Sequence, residues 1–216
     1  MAAAPSATQL KLIKAALFVL ALVPLARMVW LTATGQLVEP LAFITHGTGD
    51  WTLYFLCITL TVTPLRRLSG WNWLVKLRRM LGLFAFFYAC LHLLTFVWFD
   101  HFFDLAEIWK DVLKRPFITV GFITFLLLVP LAATSTNAMV RRLGGKRWQQ
   151  LHRLIYLIAP LGILHFWWMR AGKNDFAEPI LFGAIVALLL GMRVYWSMVR
   201  KTQAARTPEA PQRSGT

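Results

Sequence analysis

Six predominantly apolar stretches, each close to the roughly 20 residues a helix needs to cross a bilayer, constrain this 216-residue chain more than any other feature. They run over Leu12–Leu31, Leu41–Leu65, Met80–Phe99, Pro116–Ala133, Leu151–Met169 and Pro179–Met198. In hydrocarbon every backbone N–H and C=O must be satisfied internally, so runs of this length predict helices. The expected fold is all-α, a polytopic six-transmembrane-helix bundle over residues 1–201, followed by a disordered tail over 202–216 rich in Ala, Pro, Arg and Thr. The first run follows Lys11 and Lys14 but is longer than a secretion-signal core and lacks an A-x-A exit. It reads as a retained helix.

Charge orients the bundle. Twenty-three Lys and Arg stand against nine Asp and Glu, a net charge of +14 that in another chain would suggest nucleic acid. Here the basic residues fall in short clusters between apolar runs, so the lipid bilayer explains them and no nucleic-acid partner is expected. Arg66, Arg67, Lys76, Arg78 and Arg79 follow the second run, Arg141, Arg142, Lys146 and Arg147 the fourth, and Arg200, Lys201, Arg206 and Arg213 the last. The positive-inside rule places these connections and both termini in the cytoplasm. The alternate connections are acidic or mixed. Glu39 and Asp50 fall in the first, Asp100, Asp104, Glu107 and Asp111 with Lys110, Lys114 and Arg115 in the second, and Arg170, Lys173, Asp175 and Glu178 in the third. Cys57 and Cys90 belong to no CxxC or CxxCH motif, so neither a disulfide framework nor covalent haem attachment is indicated.

Three histidines inside apolar runs are the chemical signal, because hydrocarbon tolerates imidazole poorly without a partner and neutral imidazole is a common axial ligand of haem iron. His92 lies eight residues before Asp100 and His165 five before Arg170. At about 1.5 Å per residue they sit roughly 12 and 8 Å from the outer ends of their helices, at matching depth. A haem clamped between them would be six-coordinate, as electron transfer requires. His152 lies near the cytoplasmic boundary, about 20 Å of helix before His165, and thirteen residues of regular helix would leave the two side chains about 140° apart. Pro160 or Gly162 would have to rephase the helix. The matching slot thirteen residues before His92 is Arg79, so a second bis-histidine centre lacks a fourth histidine.

Plainer readings compete. His92 and His165 could join two helices by a hydrogen bond, and His152 could be interfacial. His46 and His101 read as solvated residues of outer loops or helix ends. Gly35, Gly47, Gly49, Gly144 and Gly145 read as turn residues, and Arg78 and Arg79 as membrane anchors or partners of a propionate or flavin phosphate. With Asp50 assigned to a connection, no Asp or Glu lies well inside a run, which disfavours a proton relay.

The segments Arg78-Arg79-Met80-Leu81-Gly82-Leu83 leading to Leu91-His92, Thr134-Ser135-Thr136, and Trp148-Gln149-Gln150-Leu151-His152 leading to His165 resemble the MsrQ family. These are haem-binding membrane subunits within the ferric-reductase-like transmembrane superfamily. The likeness extends from the first run to the sixth, and the WQQLH segment is its most specific part. It implies a bacterial inner (cytoplasmic) membrane protein carrying heme b and FMN. Such a protein passes electrons from the quinone pool or a cytosolic flavin reductase to a periplasmic molybdopterin methionine-sulfoxide reductase that repairs oxidised proteins. His92, His165 and His152 are the implied haem ligands. Members of the superfamily often carry two histidines on each of two helices, and this chain departs from that at Arg79. It also has no GxGxxG fingerprint, so its electrons must come from a separate donor. Two other readings stay open: a haem-free small transporter or membrane scaffold, and a cytochrome b-type quinol oxidoreductase serving another acceptor.

Overall fold

The computed structural model describes residues 4–172 and 174–206, which form nine α-helices and no strand. Six are long: α1 (Ala7–Ala33), α2 (Pro40–Ser69), α3 (Val75–Thr95), α5 (Pro116–Ala133), α8 (Ile155–Ala171) and α9 (Ala177–Arg206). Three are short: α4 (Leu105–Lys114), α6 (Asn137–Leu143) and α7 (Gly145–His152). Five segments are long and apolar enough to cross a membrane, those containing α1, α3, α5, α7 with α8, and α9. In α2, 30 residues long, threonines, His46 and Asp50 dilute the apolar character. Three of its hydroxyls are absorbed by the helix itself: Thr48 donates to the Ile44 carbonyl at 2.8 Å, Thr52 to Thr48 at 2.9 Å and Thr61 to Cys57 at 2.9 Å. Such back-bonding lets a polar helix pack among apolar ones, although the buried Thr59 hydroxyl of the same helix makes no hydrogen bond among the described residues.

Local chemistry sets the ends. Ser6 and Gln9 form a reciprocal capping box before α1, Pro40 and Pro116 open α2 and α5 where no amide donor is needed, and Gly70 closes α2 in the left-handed region at φ 74°. Helix α2 packs along α3 and α5 along α8, while α9 closes on α8 and α2 and α1 lies outside against α2 and α3. One core joins Leu53, Leu60, Leu128, Ile158 and Val186, and a second joins Met28, Phe55, Phe84 and Tyr88 under α1. The Tyr88 hydroxyl, fully buried, donates to the Ala21 carbonyl at 2.7 Å and ties α3 to α1.

Four expectations change. The third run begins earlier, behind a 3-10 turn at Asn72–Leu74, and ends in a π turn at Phe96–Asp100. The acidic connection between the third and fourth runs contains α4, capped by Asp104, whose carboxylate accepts from the amides of Ala106 and Glu107. The fifth run is two helices, broken after His152 rather than kinked at Pro160. Finally, α9 continues through Thr202–Arg206, read from sequence as the start of the tail; residues 207–216 lie outside the described residues.

Candidate functional site

His92 and His165 meet. Their ring centroids are 6.1 Å apart with the ring planes at 73°. The Nδ1–H of His92, on α3, donates to the Thr45 carbonyl of α2 at 2.9 Å, and that of His165, on α8, donates to the Phe117 carbonyl of α5 at 2.7 Å. A carbonyl oxygen only accepts, so each Nδ1 carries the proton and each Nε2 keeps its lone pair for a metal. Imidazole–metal bonds run about 2 Å, and two such bonds plus the ring radii place the centroids of opposed imidazoles about 6 Å apart. The observed centroid spacing is of that size. No group of three or more His, Cys, Asp or Glu among the described residues could hold a metal. Two imidazoles alone suit a metal that brings most of its own ligands.

The same device positions both rings. Thr45 and Gly49 stand one turn apart on α2, and Phe117 and Gly121 one turn apart on α5. In each case the carbonyl receives the imidazole and the glycine clears the space beside it. A Cβ on Gly49 would lie 3.1 Å from His92 Cε1, and one on Gly121 2.7 Å from His165 Nδ1. Around the pair opens a cavity of about 740 Å³, within the roughly 300–1,000 Å³ range of cofactor sites. Its deep walls are apolar, among them Leu56, Ala89, Leu128 and Ile158.

Several residues read from sequence as solvated or as turns belong to this site. His46, Gly47, Gly49 and Asp50 are inside α2, and His46, Gly49 and Asp50 line the cavity. His101 lines it too, with a side chain only 11% exposed and Nε2 3.2 Å from Asp111 Oδ2. Continuous α-helix would have carried His101 away from His92; the π turn at Phe96–Asp100 changes the phase. Phe102 and Phe103 then adopt φ of 46° and 65°. Left-handed backbone at two bulky residues costs on the order of 1–3 kcal/mol each, and it returns the chain to the bundle at α4.

At the basic end, His152 stacks on Trp148 with centroids 3.9 Å apart, and its Nε2 lies 3.1 Å from Thr134 Oγ1. That hydroxyl has one proton, which goes to the Pro130 carbonyl at 2.6 Å, so Thr134 accepts from the imidazole Nε2–H. Trp148 Nε1–H donates to the Thr134 carbonyl at 2.9 Å. Arg79 donates to Asn137 Oδ1. Sequence reading passed over Arg193, within the sixth run, which donates to the Leu60 carbonyl at 2.6 Å and lies 5.4 Å from the centre of the Tyr156 ring.

Comparison with known proteins identifies the family of the chain. Residues 12–163 match the family described as ferric reductase like transmembrane component. A protein of Herminiimonas arsenicoxydans named protein-methionine-sulfoxide reductase heme-binding subunit MsrQ is 67% identical over 92% of each chain. Proteins of the same name from Ralstonia nicotianae and Bordetella pertussis are 58% and 53% identical, over 87% and 95% of this chain and 87% and 100% of their own lengths. No solved structure matches. A family match over residues 12–163 and a likeness to these relatives that spans nearly the whole chain place it in the ferric-reductase-like transmembrane family, among the MsrQ subunits.

Proposed function

We propose that residues 1–201 form one haem-carrying unit that conducts electrons across the bacterial inner membrane, with both termini cytoplasmic, to a periplasmic methionine-sulfoxide reductase. The observation that carries this reading is the pair of imidazoles, each with Nδ1–H fixed by a helix carbonyl and Nε2 left free, with the ring centroids 6.1 Å apart. When bound, haem would supply a one-electron couple, and His92 and His165 would hold its iron. The chain's own part is to hold and shield. The Thr45 and Phe117 carbonyls select the tautomer, Gly49 and Gly121 let the rings approach, and Leu56, Ala89, Leu128 and Ile158 keep water from the cavity.

The names of the relatives support methionine-sulfoxide reductase as the recipient system over another acceptor. FMN, a molybdopterin cofactor on the partner, and a donor that is either quinone or a cytosolic flavin reductase follow from the family resemblance. A second centre near His152 rests on one imidazole, which would have to release Thr134 or bind through Nδ1. A haem-free transporter or scaffold would call for acidic partners to the histidines, whereas Nδ1 of His92 and of His165 goes to carbonyl oxygen.

The test is a reduced-minus-oxidised absorption spectrum of the detergent-purified protein, with haem and acid-released flavin quantified per chain. Loss of the b-type signal in His92→Ala and in His165→Ala is expected, and haem per chain in His152→Ala decides between one centre and two. A colourless protein after expression with ample haem would overturn the reading. Reconstitution with the periplasmic reductase tests the acceptor.

A further inference from the structure

The cavity is polarised along its length. Its deep end is closed by Leu56, Ala85, Leu128 and Ile158, which offer a ligand no side-chain donor, whereas its other end carries His46, Asp50, His101, Asp111 and Arg115. Arg115 is the one permanently charged cation among the described lining residues. It sits immediately before α5 at the open end of the cavity, with its side chain 57% exposed and its Nε 3.4 Å from Asp111 Oδ1, so its Nη groups are open to solvent and available to a ligand. His101 is the second unspent donor. Its Nε2 is buried and, although 3.2 Å from Asp111 Oδ2, makes no hydrogen bond of acceptable geometry. A buried unbonded nitrogen is costly to keep, and this one faces a cavity.

We propose that Arg115 and His101 are the seat for the haem's two carboxylates, so that the haem enters with its propionate edge toward the end of the bundle carrying Asp100 and Asp111. The inference rests on the haem reading above. An ionised carboxylate cannot be left at the apolar end without a severe desolvation cost, and guanidinium is the side chain best matched to it. Asp111, itself only 17% exposed, touches both seat residues, at 3.2 Å from His101 Nε2 and 3.4 Å from Arg115 Nε. The three residues come from the π turn's exit, α4 and the start of α5, so the otherwise unforeseen α4 acquires a role: it carries the anchor of the seat.

The test compares haem with haem dimethyl ester, in which both carboxylates are masked, titrated into the full-length protein purified from haem-depleted cells. Charge-assisted hydrogen bonds predict that wild type prefers the diacid by about ten- to a hundredfold. Arg115→Gln is expected to bring that preference to within about threefold while still giving a six-coordinate b-type spectrum. Arg115→Lys is expected to retain part of it, and His101→Gln to lower it less. Equal affinity of wild type for the two porphyrins overturns the proposal, as does full preference for the diacid in both Arg115→Gln and His101→Gln. Failure of wild type to take up either porphyrin overturns the haem reading itself. His101→Gln also supplies the comparison should Arg115→Gln not fold.

Discussion

Adding one carbon at Gly121 tests how the paired imidazoles are held. The Cβ of Gly121→Ala would lie 2.7 Å from His165 Nδ1 and 2.8 Å from Cε1, while ordinary contact begins at 3.4 Å, so the ring must retreat by about 0.7 Å. It cannot do so freely, because its Nδ1–H is bonded at 2.7 Å to Phe117 on the same helix as the new methyl. Overpacking of this kind costs about 1–3 kcal/mol, and a weakened hydrogen bond adds about 1 kcal/mol. Replacing glycine within a helix returns about 0.5–1 kcal/mol. A net loss of about 1–3 kcal/mol remains, and because a ligand constellation tolerates only about 0.5 Å of misplacement, it should fall mainly on cofactor retention. Haem dissociation, followed by transfer to an excess of apomyoglobin, should quicken about ten- to a hundredfold. Gly49→Ala, with its Cβ 3.1 Å from His92 Cε1, should show a smaller effect. Gly82→Ala, whose Cβ meets only Thr59 Cγ2 at 3.7 Å, should leave retention unchanged. Equal retention in Gly121→Ala and Gly82→Ala would refute the claim that glycine makes the seat for His165.

Other consequences are simpler. Tyr88→Phe removes the bond to the Ala21 carbonyl and should lower stability by about 1 kcal/mol in detergent–denaturant titrations, without altering the haem spectrum, because the Tyr88 ring belongs to the other core. Leu105, Trp109 and Leu113 form an exposed apolar edge of α4, flanked on one side by Lys110 and Lys114. Nitroxides at the first three positions in a lipid nanodisc should be quenched by oxygen and those at the lysines by a water-soluble nickel chelate, as for a helix lying in the interface. Uniform quenching by the chelate would remove α4 from the membrane surface.

How much was legible in the sequence follows from which signals are periodic and which are not. Long apolar runs report only that a segment must be helical in lipid, so the six long helices were readable, and the matched depths of His92 and His165 followed from counting residues. Glycine is ambiguous on that scale. Gly47 and Gly49 beside His46 look like a turn, yet they lie in α2, where Gly49 clears space for an imidazole from another helix. What marks Gly49 and Gly121 as special is the carbonyl one turn earlier, and that partner is a backbone group with no letter of its own. His101 was misplaced for a related reason, since a π turn and two left-handed phenylalanines carry no distinct sequence mark. Arg193 was visible as an arginine within an apolar run and was overlooked.

The break after His152 explains why the two ends of the bundle can be perturbed separately. A continuous helix would couple the orientations of His152 and His165, and their expected 140° divergence would leave one of them misaimed. With α7 ending at His152 and α8 starting at Ile155, His165 takes its orientation from Phe117 and Gly121, while His152 takes its own from Thr134 and Trp148. Trp148→Ala removes both the stacked ring and the Nε1–H bond to the Thr134 carbonyl, whereas Thr134→Val keeps the stack and removes the acceptor of the His152 Nε2–H together with the hydroxyl's bond to the Pro130 carbonyl. Both should leave the spectrum and retention of haem at His92 and His165 within twofold of wild type, a limit of about 0.4 kcal/mol. Combined with Gly121→Ala, either should act additively on stability, as sites without shared partners do. A fall in haem retention with Trp148→Ala as large as that with Gly121→Ala would mean that the two helices behave as one rigid element, and the independence inferred from the break would be wrong.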